Sequence, residues 1–118
     1  MKAIVKKDII GVMLYVKDLK KASEWYCNSL GFSMGDYDYN DFIELTIDGH
    51  YVMHLFKEEN HGPVTKAVFT FDTDDIEDAH RSLRNKGIAT SNINHYGDHS
   101  GFTFTDCDGN TLMICQYV

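Results

Sequence analysis

The hydrophobic pattern of the chain falls into two similar halves. Residues 9–16 form a dense apolar and β-branched run, which predicts a buried strand. Asp18 then offers a carboxylate to cap a helix, and Leu19, Ala22, Tyr26 and Leu30 recur on one helical face. Gly31 can supply the left-handed residue that ends such a helix. From Phe32 the pattern predicts a weaker strand, followed by a polar turn over residues 36–41. Residues 42–47 and 51–56 alternate as strands around Asp48-Gly49-His50, where Gly tolerates the positive φ of a tight hairpin turn.

A polar stretch with His61-Gly62-Pro63 at its centre, holding the chain's only proline, marks a joint. The pattern then restarts. Residues 66–71 predict a strand, Asp74 or Asp75 a helix cap, and Ile76, Ala79, His80 and Leu83 a helical face ended by Gly87. Residues 88–93 predict a modest strand and 95–100 a loop. A last hairpin joins residues 102–105 to 111–117 through Asp106-Cys107-Asp108-Gly109-Asn110, read as a tight turn. Asp18 and Asp75 are 57 positions apart, Gly31 and Gly87 56, and Gly49 and Gly109 60. This periodicity predicts a duplicated βαβββ unit. The expected architecture is a single α+β domain over residues 1–118: module 1 over about 9–57, a linker over about 58–65 and module 2 over about 66–118. The two modules are expected to form a curved sheet or half-barrel around a shared cleft, with the helices outside.

Composition narrows the function. At 118 residues the chain suits one domain that buries roughly two-thirds of its unfolded surface. A net charge of −7 argues against a nucleic-acid partner, which needs a basic footprint. Cys27, Cys107 and Cys115 are odd in number and lack C-x-x-C spacing, which fits a reducing compartment and small apolar packing roles. The basic opening residues are not followed by a leader-like apolar run and cleavage site, and no stretch reaches transmembrane length. A cytoplasmic protein with no membrane partner is expected.

The segments Val12-Met13-Leu14-Tyr15-Val16-Lys17-Asp18-Leu19, Trp25-Tyr26 through Leu30-Gly31-Phe32, and Asp106 to Asn110 resemble the glyoxalase, bleomycin-resistance and extradiol-dioxygenase superfamily, the vicinal oxygen chelate fold. The last stands where that family usually has Asp-Pro-Asp-Gly-Asn. The resemblance implies a divalent metal held by side chains from the first and last strands of each module, at positions Gly11, His54, Lys66 and Met113. Only His54 is an ordinary ligand among these. Glycine donates nothing, an ammonium repels a divalent cation, and a thioether is too soft for Zn, Ni, Mn or Fe(II) beside one imidazole. No metal or other cofactor is therefore expected. A substitute set of His54, Glu44 and Cys115 is conceivable, but no spacing selects it.

Other residues carry the remaining expectations. Met13, Tyr15, Phe56, Met113 and Cys115 are in phase with the cleft positions and would suit a planar or apolar ligand; each could instead fill the small barrel. Lys66 either stands at an exposed strand start or faces the cleft, where it could hold an anion. His95 and His99 sit at a surface or rim, His80 packs inside a helix, and Trp25 lies at the helix edge. The expected function is binding of a small planar or apolar molecule without metal, resembling the bleomycin-resistance branch. The alternative is an enzyme of the lactoylglutathione-lyase or isomerase kind, with a noncanonical metal set or with His54 as base and Glu44 or Lys66 to orient it or stabilise developing charge. Relatives commonly form two-fold dimers, so a homodimer is expected.

Overall fold

The structure is a computed structural model that describes residues 1–118. Its contacts divide the chain into two units, residues 1–61 and 62–118, and each unit is a βαβββ module with one four-stranded mixed sheet. The fold is α+β.

In the first unit, β1 (Met13–Val16) leads into α1 (Leu19–Leu30), followed by β2 (Ser33–Asp38), β3 (Phe42–Ile47) and β4 (His50–Lys57). The Asp18 side chain caps α1 by accepting from Lys21 N at 3.1 Å, and Gly31 ends it at φ 84°. Such a cap stabilises a helix by about 1 kcal/mol. The sheet order is β1-β4-β3-β2, with β1 parallel to β4 and the other pairs antiparallel. Alternation then separates two faces. Leu14, Val16, Ile43, Leu45, Met53 and Leu55 are buried, as are Leu19, Ala22 and Tyr26 of the helix that covers them. Asp48 and Gly49 both adopt positive φ, at 52° and 78°, making the two-residue turn between β3 and β4.

The second unit repeats this plan with β5 (Phe71–Asp72), α2 (Ile76–Asn85), β6 (Asn94–Tyr96), β7 (His99–Thr105) and β8 (Thr111–Tyr117), in the order β5-β8-β7-β6. Asp75, not Asp74, caps α2 by accepting from Asp78 N at 3.0 Å. Phe102, Phe104, Leu112 and Ile114 form the buried face with Ile76 and Leu83. His80 packs there too: its ring meets Phe102 edge-on at 4.8 Å, and its Nε2 lies 2.8 Å from the Ser91 carbonyl.

Several boundaries differ from expectation. Residues 9–12 lie outside the strand, and Ile9 and Ile10 are exposed rather than buried. The β1 ladder starts at Met13, opposite His54, because the next stretch of β4 is broken by a bulge. Asp36 to Asp38 belong to β2 rather than to a turn. The second module's first strand is only Phe71–Asp72, so residues 66–70 are irregular. Of residues 88–93, only Thr90 makes an isolated bridge, to Phe104. The expected loop at 95–100 is a hairpin, where Tyr96, His99 and Tyr117 line up across three strands and stack at 4.9 and 4.6 Å.

The last hairpin is not a two-residue turn. Five residues connect β7 to β8, and buried Asp106 organises them. Its Oδ1 accepts from Asp108 N at 2.8 Å and from Asn110 N at 2.9 Å, and its Oδ2 accepts from Asn110 Nδ2 at 3.0 Å. Asn110 Oδ1 in turn accepts from Val64 N at 2.9 Å, tying the start of the second unit to its final hairpin.

Candidate functional site

The side of the first sheet turned away from α1 carries a connected set of rings. Register places Tyr15 beside Phe56 and Phe56 beside Phe42, in one row across β1, β4 and β3. The next row is Met13, His54 and Glu44. Tyr15 and Phe56 have ring centroids 6.0 Å apart, Phe56 stacks on His54 at 5.3 Å, and His54 lies 6.0 Å from Phe42. His61 adds a ring 5.0 Å from Tyr15.

A bulge brings in a residue that sequence phase missed. Between Leu45 and Thr46 the β3–β4 register shifts, so Thr46 pairs with Tyr51 while Leu45 pairs with Met53, leaving Val52 as the extra residue. Strand alternation alone would set Tyr51 and His54 on opposite faces. The extra residue puts both on one face, and Tyr51 Oη lies 2.7 Å from His54 Nδ1. Val52, which strict alternation would put on the His54 side of the strand, is the bulged residue instead. Nothing in the run 50–56 signals this shift.

Tyr51 is 40% exposed, and its hydroxyl lies against His54 and close to Gly11, where a Cβ would come within 3.4 Å of the oxygen. Burial of the phenol pushes its pKa above the ordinary value near 10.0, and the negative charge of Glu44 adds to the shift. With Nδ1 engaged by Tyr51, the His54 Nε2 is the nitrogen left for a ligand or a proton.

The second sheet presents a different surface. The strand pairs that match Phe42, Glu44, His54 and Phe56 there are Gly101, Thr103, Met113 and Cys115, each 59 positions later. Rings and charge are replaced by small and sulfur-containing groups. Cys115 is buried, and Gly101 is held to glycine, because a Cβ there would sit 2.7 Å from Met113 Cε and 3.0 Å from Cys115 Sγ. The thiol of Cys115 is thus packed inside its module. At the far end of this sheet, Asp98 accepts from His99 Nδ1 at 2.7 Å, and this hydrogen bond holds its carboxyl below the ordinary range.

The four positions the family would use for a metal do not suit one. Gly11 has no donor, and Met113 offers only a thioether. Lys66 is exposed in the irregular stretch before β5. Moreover, Leu14 pairs with Leu55 and Phe71 with Ile114, so the first strands correspond at a spacing of 57, which matches Gly11 with Val68 rather than Lys66. Valine donates nothing either. Only His54 fits, whereas a protein metal site needs about three or four such ligands. No group of three or more His, Cys, Asp or Glu side chains is arranged to hold a metal ion.

A family model described as the Glyoxalase/Bleomycin resistance protein/Dioxygenase superfamily matches residues 9–114. The chain belongs to this superfamily. Solved structures share its fold. A protein provisionally assigned to the glyoxalase family, from Bacillus anthracis, is 17% identical with a TM-score of 0.83, and the match covers 100% of both chains. TnmS3, an antibiotic binding protein from Streptomyces sp. CB03234, is 19% identical with a TM-score of 0.78, covering 98% of this chain and 100% of its own. Lactoylglutathione lyase from Agrobacterium tumefaciens is 17% identical with a TM-score of 0.79, covering 95% of each chain. Comparison with curated protein sequences gives no match. No helix is long and apolar enough to cross a membrane.

Proposed function

We propose that the chain is a small-molecule binding protein that takes a flat or apolar molecule on the ring-lined face of its first module, without a metal ion. The observation that carries this reading is the contrast between two sets of residues. The four family ligand positions supply one imidazole, while the same face presents Tyr15, Phe42, Phe56, Tyr51 and His54 in mutual contact. Such rings offer stacking surface to a planar ligand. Sequestration asks only for a complementary surface, and one protein of this fold, TnmS3, is described as antibiotic binding. Met13, 55% exposed beside His54, is a soft neighbour able to adapt to ligand shape. Met113 faces the corresponding side of the second module, while Lys66 is left to an exposed role. A homodimer in the cytoplasm completes the proposal, and light scattering on the purified chain tests the dimer.

The experiment is a thermal-shift screen of planar aromatic compounds with chelator present. A ligand at about 100 times its Kd adds about 2.7 kcal/mol to apparent stability, which raises Tm by roughly 10 °C for a chain of this size. Stoichiometric, tightly bound metal in the purified protein would sink the proposal.

A second reading is favoured by the Tyr51–His54 contact of 2.7 Å. It is a metal-free lyase or isomerase in which His54 Nε2 removes a proton, Tyr51 holds the imidazole, and Glu44 stabilises developing positive charge. If His54→Ala keeps full turnover on any substrate found, this reading is discarded.

A further inference from the structure

The ring-lined face contains one carboxylate with nothing to neutralise it. Glu44 is at the middle of β3, half-buried, between Ile43 and Leu45, which are fully buried on the helix side. No hydrogen bond or ion pair engages its side chain. Its neighbours on the face are Phe42, Thr46, Tyr51 and His54, none of them lysine or arginine. The closest lysine along β4, Lys57, is 3.6 Å from Glu59 and so already has an anionic partner.

Two irregularities bracket Glu44. On one side is the Val52 bulge of β4. On the other, the β2 register shifts between Met34 and Tyr37, so that Gly35 and Asp36 together face it. Gly35 matters because it lacks a side chain. A Cβ at this position would lie 3.3 Å from both Glu44 Cβ and Glu44 Oε2, and 3.4 Å from Thr46 Cγ2. Without a Cβ at this position, the Glu44 side chain lies close against the β2 backbone. The second module's β7–β8 ladder runs without a shift, and Thr103 stands in the place of Glu44. The charge and both bulges are features of the first module alone.

A partly desolvated carboxylate costs free energy unless a counter-charge meets it. Aromatic faces around it attract the same sign of charge. We propose that Glu44 sets the charge specificity of this face, selecting flat aromatic ligands that carry a positive charge over neutral ligands of the same shape. The inference rests on the binding function proposed above and adds the ligand's chemical class and the residue that selects it. The cation would sit against Glu44, with its ring on His54 and Phe56.

The test uses two fluorescent probes of like shape, N-methylacridinium as the cation and N-methylacridone as the neutral compound, titrated into the purified full chain. The wild-type protein is expected to bind the cation about tenfold more tightly, which is the scale of one close ion contact. Glu44→Gln keeps the side-chain shape and should lower the affinity for the cation about tenfold, to that of the acridone in the same variant. Gly35→Ala crowds the carboxylate and should weaken the cation more than the acridone. Equal affinities of wild type and Glu44→Gln for the cation would overturn the inference while leaving the binding function standing. Failure of both probes to bind wild-type protein would overturn both.

Discussion

Replacing Asp106 tests whether the C-terminal hairpin is held as described. In Asp106→Ala, three hydrogen bonds to one buried carboxylate are lost. They are not equivalent. The amide of Asp108, which is half-buried, can turn to water, whereas Asn110 is only 1% exposed and both its backbone and side-chain donors would be stranded. A stranded buried donor costs about 1–3 kcal/mol, so two give roughly 3–4 kcal/mol. At about 4 °C per kcal/mol for a chain of this length, Tm should fall by roughly 12–16 °C. Asp106→Asn grades the effect. Its remaining oxygen can still accept from the two backbone amides, but its NH₂ would oppose Asn110 Nδ2, donor against donor. A loss of about 1–2 kcal/mol is expected. The assay is thermal unfolding followed by circular dichroism, with denaturant titration to confirm that m is unchanged. A Tm for Asp106→Ala within about 2 °C of wild type would mean that the carboxylate does not hold the hairpin, as would an asparagine variant less stable than the alanine one.

Two further outcomes follow from the packing and the charge. Gly101→Ala should cost about 1–2 kcal/mol in denaturant titration, because Met113 Cε can move aside but buried Cys115 Sγ cannot; Cys115→Ala in the same chain should recover part of it, and strict additivity would contradict the contact. The raised pKa of Tyr51 keeps its phenol protonated above the ordinary value near 10.0, so its contribution to stability is present below that value and lost as pH rises through the raised one. Phenolate absorbance, read as a difference against Tyr51→Phe, should show Glu44→Gln moving this titration part of the way back. Burial is the larger cause and stays. An unchanged curve in Glu44→Gln would mean that the Glu44 charge does not reach the phenol.

The duplicated fold is legible in the sequence where local chemistry decides the backbone. Asp18 and Asp75 cap helices, Gly31 and Gly87 take left-handed φ after them, and Asp48-Gly49 makes a tight turn. Each residue acts through its own conformational preference. Elements whose existence depends on a partner strand are less legible. Ile9 and Ile10 have strand composition but no ladder, and residues 66–70 remain irregular although Phe69 and Phe71 read as strand. The same limit applies to the site. Met13, Tyr15, Glu44, His54 and Phe56 follow from strand phase, and the structure sets them in adjoining rows. Tyr51 does not, because a bulge is a property of two paired strands and one strand's alternation carries no sign of it. Counting from the family motif points to Lys66; the ladder corrects the count by two residues and leaves that side chain exposed outside β5.

The proposed mode of binding uses rings and not a metal ion. Its most direct test is the affinity of a ligand found in the thermal-shift screen, measured by calorimetry on protein as purified and again after exhaustive chelation. The same Kd is expected in both. Loss of one equivalent of a divalent metal on chelation, with binding abolished and then restored when that metal is returned, would contradict it.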